Sequence, residues 1–244
     1  MMDKQLVTEK MVWIPAGRFL YKSSHRAREG EFILYNEGPR DLRMNGFYID
    51  PYEVTNAEFK DFLDESGYQP ADKHNFLRHW QGAFPRPLAR HPVTWVSLED
   101  ARAYAGWAGK RLPNDIEWQW AAQGSDGRSW PWGDRFDPQR CNSDSPGTTP
   151  VDAFPANLSP FGIYDMVGNV WEWTDPVISD GWHRWCLIRG GSYYLPKGSS
   201  WYAEGGAQPV YHHHKFLLMA TGLDRCGTIG FRCVFSDGIT VSEA

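Results

Sequence analysis

The stretch that most limits how this chain can fold is one with almost no hydrophobic period. From Gly124 onward, Gly, Pro, Asn, Ser and Trp dominate. The run RSWPWGDRFDPQRCNSDSPGTTPVDAFPANLSPFG, residues 128–162, reads as loop from its turn residues. It carries too many Trp and Phe to stay disordered. A chain that must bury such rings without long helices or strands has one solution, an ordered irregular coat packed on a small sheet. The 13 Trp of the whole chain agree with this, because Trp usually packs in a core or lines a pocket.

The first half is sharper. In VTNAEFKDFLDESG, Thr55 and Glu58 form a capping box, Val54 and Phe59 are placed as a hydrophobic staple, and Gly67 stops the helix. In VSLEDARAYAGWAG, Ser97 caps, Asp100 takes the third helical position and Gly109 ends the run. In PNDIEWQWAAQG, Asn114 caps, Glu117 completes the box and Gly124 ends it. Three short helices are therefore expected, near residues 55–66, 97–108 and 114–123. MVWIPAGRFLY reads as a strand broken by a Pro-Ala-Gly turn, and NGFYIDPYEV as a strand ended at Pro51. WCLIRGGSYY and TIGFRCVFS read as closing strands. With no repeat, low-complexity tract or linker, residues 1–244 are expected to form one α+β domain with its core at about 11–236.

A net charge of −5 gives no basic footprint for nucleic acid. No run of about 18 apolar residues suggests a membrane span. The N-terminus MMDKQLVTEKMVWIPAG lacks the apolar core of a signal peptide, so a cytoplasmic location is expected. Cys141, Cys186, Cys226 and Cys233 form no C-x-x-C pair, and the expectation is four reduced thiols.

The segments MVWIPAGRF, FYIDPYEVTNAEF, HPVTWVSLEDARAYAGWAGKRLPNDIEWQWAAQG, WPWGD, TTPVDAFPANLSPFGIYDMVGNVWEWT, IRGGSYY and GFRCV stand in an order that resembles the formylglycine-generating enzyme, or sulfatase-modifying factor, family. The likeness runs from about Met11 to Phe235. It implies a variant of the C-type lectin fold with little regular secondary structure. One branch of that family oxidises a sulfatase cysteine to formylglycine with copper and oxygen. Others form C–S bonds, mature siderophores or bind ligands, so fold does not settle function. The formylglycine branch carries two thiols just after GGS. Here the corresponding positions are Leu195 and Ser200, and 190–224 contains no cysteine. Neither Leu nor Ser replaces a thiolate for monovalent copper. The family's pairing of a helix cysteine with that of GFRC is also lost, since Ala105 stands opposite Cys233. Formylglycine generation is therefore not expected.

The resemblance implies a calcium ion in DMVGNVWE, held by the side chains of Asp165 and Glu172 and the carbonyls of Gly168 and Val170. Calcium takes six to eight oxygens of these kinds, and Gly168 would let the backbone turn tightly enough to aim its carbonyl. The alternative is that both acids only hydrogen-bond to the coat.

Where the family builds its groove, this chain has YYLPKGSSWYAEGGAQPVYHHHKFLLMATGLDR. If VYHHHKF is a strand, His212 and His214 share a side. With Glu204 they would make a two-His, one-carboxylate set suited to iron. Trp201, Tyr202 and Tyr211 would stack a small-molecule or peptide ligand, and Arg225 would hold an anionic group on it. Two functions follow. One is a divergent iron- or copper-dependent oxidoreductase acting on a peptide or small metabolite. The other is a binding or accessory protein that keeps the groove without a redox centre.

Overall fold

The computed structural model describes residues 4–25, 35–196, 205–238 and 240–243. Its elements run α1 (Lys4–Thr8), β1 (Val12–Ile14), β2 (Gly17–His25), β3 (Tyr35–Met44), β4 (Phe47–Ile49), α2 (Asn56–Ser66), α3 (Leu98–Trp107), α4 (Asp115–Gln123), β5 (Trp171–Trp173), β6 (Ile178–Ser179), β7 (Arg184–Arg189), β8 (His213–Leu217), α5 (Thr221–Asp224), β9 (Ile229–Gly230), β10 (Val234–Phe235) and β11 (Val241–Glu243), with short 3-10 turns between them.

All three capping boxes form. Thr55, Ser97 and Asn114 each accept from the backbone N–H three residues on, and Glu58, Asp100 and Glu117 reach back to the cap N–H. Gly67 closes α2 at φ 66°, a left-handed conformation that glycine adopts without strain. Thr55→Ala is expected to cost about 1 kcal/mol, read as a small shift in the denaturant midpoint at unchanged slope.

Three small sheets carry the rest. One has the order β1-β4-β10, a second β11-β3-β2, and the third β6-β7-β5-β9 with β8 on the free side of β7. β3, β11 and α1 had no clear signal in the sequence, because β3 is the polar run YNEGPRDLRM.

Two apolar clusters share these strands. Phe59, Phe62, Tyr104, Trp173, Ile188 and Phe231 build one; Ile14, Phe19, Phe47, Ile49, Trp118 and Val167 build the other. Consecutive residues feed opposite clusters, Cys233 the first and Val234 the second, as extended backbone requires. Phe59 stacks on Tyr104 at 5.8 Å and Phe231 meets Tyr104 edge-on at 5.4 Å. Ala105 and Cys233 both lie in the first cluster, and all four cysteines are free thiols.

Between α4 and β5 the chain is loop, yet Ile163, Met166, Val167 and Val170 are almost fully buried. Asparagine side chains do the work that strand pairing does elsewhere. Asn169 accepts from the Thr149 N–H at 3.0 Å, and Asn157 donates to Asp165 at 3.0 Å and to the Val167 carbonyl at 2.8 Å. These bonds satisfy backbone groups that would otherwise be buried unpaired.

Candidate functional site

A cleft of about 490 Å³ opens over the third sheet. Its floor is Trp171 of β5, Ile188 of β7, and His214 and Phe216 of β8. β7 and β8 pair with Ile188 opposite His214, which sets the imidazole beside the Trp171 ring at 5.8 Å. One wall is Tyr193 and Tyr194; the other is Trp95 with Cys226–Ile229.

Two glycines make the first wall. Gly190 and Gly191 sit at φ 89° and 80°, and a Cβ on Gly191 would lie 2.2 Å from the Gly206 carbonyl oxygen. The backbone therefore reverses and runs beside Gly206, with the Ser192 N–H donating to the Gly206 carbonyl at 3.0 Å and the Gly206 N–H to that of Tyr194 at 2.8 Å. Tyr193 is held by its N–H on the Asn169 carbonyl at 2.9 Å and its hydroxyl on the Gly227 carbonyl at 3.3 Å. Burial raises that phenol above its ordinary value, so at neutral pH it is a hydrogen-bond donor.

In the second wall, Trp95 takes φ 57°, and its N–H bonds the Cys226 carbonyl at 3.0 Å. The guanidinium of Arg78 covers one face of its ring at 5.3 Å. The Cys226 thiol lies 3.1 Å from the Thr228 hydroxyl. Cys226 is half-buried, whereas Cys141, Cys186 and Cys233 are buried and pushed up in pKa by that burial. Among the described residues that line the cleft there is no Lys, Arg, Asp or Glu. The described lining offers ring faces, hydroxyls, a thiol and an imidazole, which suit an apolar or aromatic ligand.

Of the residues singled out in the sequence, His214 lines this cleft. His212 does not join it. β8 begins at His213, and His212 precedes it at a bridge to β2, its Nδ1 3.4 Å from the Ser24 hydroxyl. His213 meets Ser23 on the same strand. Tyr211 lies under the Lys22 ammonium at 4.3 Å, away from the cleft lining. Arg225 is also misplaced by the sequence reading. It is buried on Asp100 at 2.8 Å and on the Asp72 and His74 carbonyls, both at 2.7 Å. Trp201, Tyr202 and Glu204 lie outside the described residues. Among the described residues no three His, Cys, Asp or Glu side chains gather as a metal centre would need. Trp95, Trp171, Tyr193, Tyr194 and Cys226 had not been singled out as site residues. The signal was present in IRGGSYY and VWEWT, where a double glycine before two Tyr marks a backbone that must turn closely.

His79 is structural. Its Nε2 bonds Asn56 Oδ1 at 2.8 Å, as does Trp80 Nε1, while Asn56 donates to the Leu88, His91 and Pro92 carbonyls. Burial pushes this imidazole down to about 4.

Below the cleft floor lies a buried polar centre made from the DMVGNVWE loop. Glu172 accepts from Arg232 Nε and Nη2, both at 2.8 Å, and from Trp118 Nε1 at 2.9 Å. Its carboxylate is thus engaged with protein donors, which competes with the calcium role suggested by the resemblance. Asp165, at φ 52°, accepts from Asn157 through Oδ1. Gly168 sits at φ 82°, where a Cβ would lie 2.7 Å from the Asn142 carbonyl oxygen, and Val170 is 1% exposed.

Few short helices, small sheets and a coat of asparagine-tied loops around a cleft define a lectin-like α+β class. Solved structures agree. PvdO from Pseudomonas aeruginosa superposes with a TM-score of 0.63 at 24% identity, covering 92% of this chain and 93% of that one. CarF gives 0.63 at 20% identity, covering 92% and 97%. Residues 1–236 match the family model for the sulfatase-modifying factor enzyme 1-like domain, and the chain belongs to that family. Relatives include the mouse protein named inactive C-alpha-formylglycine-generating enzyme 2, 30% identical over 93% of this chain and 86% of its own length. The cattle formylglycine-generating enzyme is 34% identical over 92% of this chain and 74% of its own length. No helix among the described residues is long and apolar enough to cross a membrane.

Proposed function

We propose that this chain is a ligand-binding member of the family that uses its aromatic cleft to hold an apolar or aromatic group of a peptide or small molecule, without generating formylglycine. One observation carries the reading: a cleft of about 490 Å³ lined by Trp95, Trp171, Tyr193 and Tyr194, with no charged side chain among its described lining residues. Such rings supply stacking and area burial. The absence of a thiol pair after GGS and a similar protein named as inactive support it. An oxidoreductase that used iron on His212, His214 and Glu204 would need His212 to leave Ser24 and swing to the cleft side.

Cys226 reports on occupancy. Iodoacetamide is expected to label Cys226 before the three buried thiols, and mass spectrometry reads the site. Short Trp- and Tyr-containing peptide amides should slow that labelling at least about tenfold at saturation. Trp171→Ala should weaken their protection by about tenfold, since an aromatic contact of this kind contributes about 1–1.5 kcal/mol beyond area burial. Equal labelling with and without every peptide tried would remove the proposal. So would conversion of a sulfatase-type cysteine peptide to its formylglycine product.

A further inference from the structure

The first sheet presents an aromatic row that neither the cleft nor the buried centre uses. In β1, β4 and β10 the inward residues Ile14, Phe47, Ile49 and Val234 are 0% exposed. Alternation along extended backbone therefore turns Trp13, Tyr48 and Phe235 to the opposite face. The register sets them side by side, Trp13 opposite Tyr48 and Tyr48 opposite Phe235, so the three form one cross-strand row. The Trp13 and Tyr48 rings pack with centroids 4.8 Å apart and planes inclined at 59°. Trp13 nevertheless remains 51% exposed.

All three rings line a pocket of about 170 Å³, together with Asn45, Gly46, Ser236, Asp237, Gly238 and Thr240. Its walls are fixed from behind. A Cβ on Gly46 would lie 2.2 Å from Trp13 Cζ2, so the indole rests where any side chain at 46 would stand. The Asn45 N–H bonds the Thr240 carbonyl at 2.8 Å, which ties the turn after β3 to the segment after β10. The Ser236 hydroxyl donates to the Gly238 carbonyl at 3.2 Å and accepts from Arg111 Nη2 at 2.7 Å. Arg111 is itself neutralised by two bonds to Glu117, at 2.7 and 2.6 Å. Among the described lining residues Asp237 is the charged side chain, and it is exposed.

We propose that this pocket binds the guanidinium of an arginine side chain presented by a peptide partner. Three properties select that group. Ring faces attract cations, and Arg more often than Lys. The rim offers oxygen acceptors, and a guanidinium carries five N–H donors in one plane, whereas an ammonium is a compact charge with three. Asp237 can take two parallel N–H bonds from it, and the roughly four lone-pair sites of a carboxylate leave capacity for this beside bonds within the chain. Size agrees with the choice. The pocket is smaller than the about 300–1,000 Å³ of a drug-sized site and holds one head group. The half-exposed Trp13 ring gives the methylene stem an apolar shelf on the way out. A net charge of −5 favours a basic partner over an acidic one.

Saturation-transfer NMR on the full chain reads the site through the methylene protons of the ligand, and titration gives Kd. N-acetyl-arginine amide is expected to bind. The matching citrulline amide, in which a neutral urea replaces the guanidinium at the same shape, should bind at least about fivefold more weakly. N-acetyl-lysine amide should fall between them, since an ammonium keeps the charge without the planar fork. Asp237→Asn should lower the arginine affinity at least about fivefold and leave that of citrulline within about twofold. Trp13→Ala should lower the arginine affinity at least about threefold, and Trp13→Phe by less. Asp237 is exposed on the bend after β10, so its arm stands even where loss of the Trp13 ring from Tyr48 loosens the sheet. Trp171→Ala, in the cleft, should leave the arginine affinity within about twofold, as expected of a separate site. No saturation transfer, citrulline binding as tightly as arginine, an Asp237→Asn affinity equal to that of the parent, or a loss in Trp171→Ala alone would each overturn the assignment. Free arginine binding at least about tenfold tighter than the blocked form would overturn the peptide origin and make the occupant an amino acid. None of these outcomes bears on the cleft, which is read by Cys226 labelling.

Discussion

Arg232→Ala is expected to abolish cooperative folding at physiological temperature, or to lower stability by about 3–5 kcal/mol if the variant can be purified, the range for removing one partner of a buried ion pair. The guanidinium is fully buried and reaches three places at once. It holds Glu172 by two bonds of 2.8 Å. It faces Glu53 at 3.8 Å. It also satisfies the Tyr164 carbonyl at 2.9 Å and those of Asp50 and Pro51 at 3.3 Å. Truncation would leave three buried carboxylates without the Arg232 charge and remove a donor from the Asp50, Pro51 and Tyr164 carbonyls, of which Pro51 still accepts from the Tyr164 N–H. Glu172→Met in the Arg232→Met background should recover part of the loss, because removing both partners of a pair leaves no uncompensated charge from that pair. Urea titrations of parent, single and double variants give the measurement. An Arg232→Ala midpoint within about 1 kcal/mol of the parent, at unchanged slope, would show that this centre does not hold the loops together.

That centre also shows what the sequence could and could not convey. The three helices were legible because each carries its start signal within four residues, as Thr55 and Glu58 do. Cap chemistry is local, so reading it needs no knowledge of the fold. β1, β2 and β4 were legible from period and breakers. β3 was not, since its stabilising partners are β2 and β11, far away in the chain. The cleft was half legible. His214 was placed on a strand face correctly, but His212 fell one residue before β8 and was drawn to Ser24. A run of three histidines gives no information on where the strand starts. Asp165 and Glu172 were singled out in the sequence as calcium ligands implied by the resemblance or as acids bonded to the coat, and both are buried. Their partners, Asn157, Glu53 and Arg232, come from separate segments, and only tertiary packing assigns one acid to a guanidinium and leaves the other with an unpartnered oxygen.

Arg225 gives the clearest contrast between the two kinds of reading. As a ligand-binding residue it could be replaced with no effect on stability. In the structure it is a support, and Arg225→Ala is expected to cost about 3–5 kcal/mol. The guanidinium pairs with Asp100 through Nε at 2.8 Å and Nη2 at 3.1 Å, both side chains 0% exposed. Its Nη1 holds the Asp72 and His74 carbonyls, and the Phe76 ring lies 5.0 Å from its centre. Asp100 has further duties: it closes the α3 capping box on the Ser97 N–H at 2.8 Å and accepts from the Tyr68 hydroxyl at 2.8 Å. Losing Arg225 therefore leaves a buried carboxylate with neutral donors only and loosens the start of α3. Arg225→Lys should fall between parent and Ala, because an ammonium keeps the charge but cannot reach two carbonyls and a carboxylate in one plane. The cleft should register the change as well, since Cys226 is the next residue and its carbonyl holds Trp95 at 3.0 Å. Faster iodoacetamide labelling of Cys226, together with a lowered urea midpoint, is the expected pair of results. A variant that melts like the parent yet no longer binds peptide in the labelling assay would restore Arg225 to the role of ligand contact.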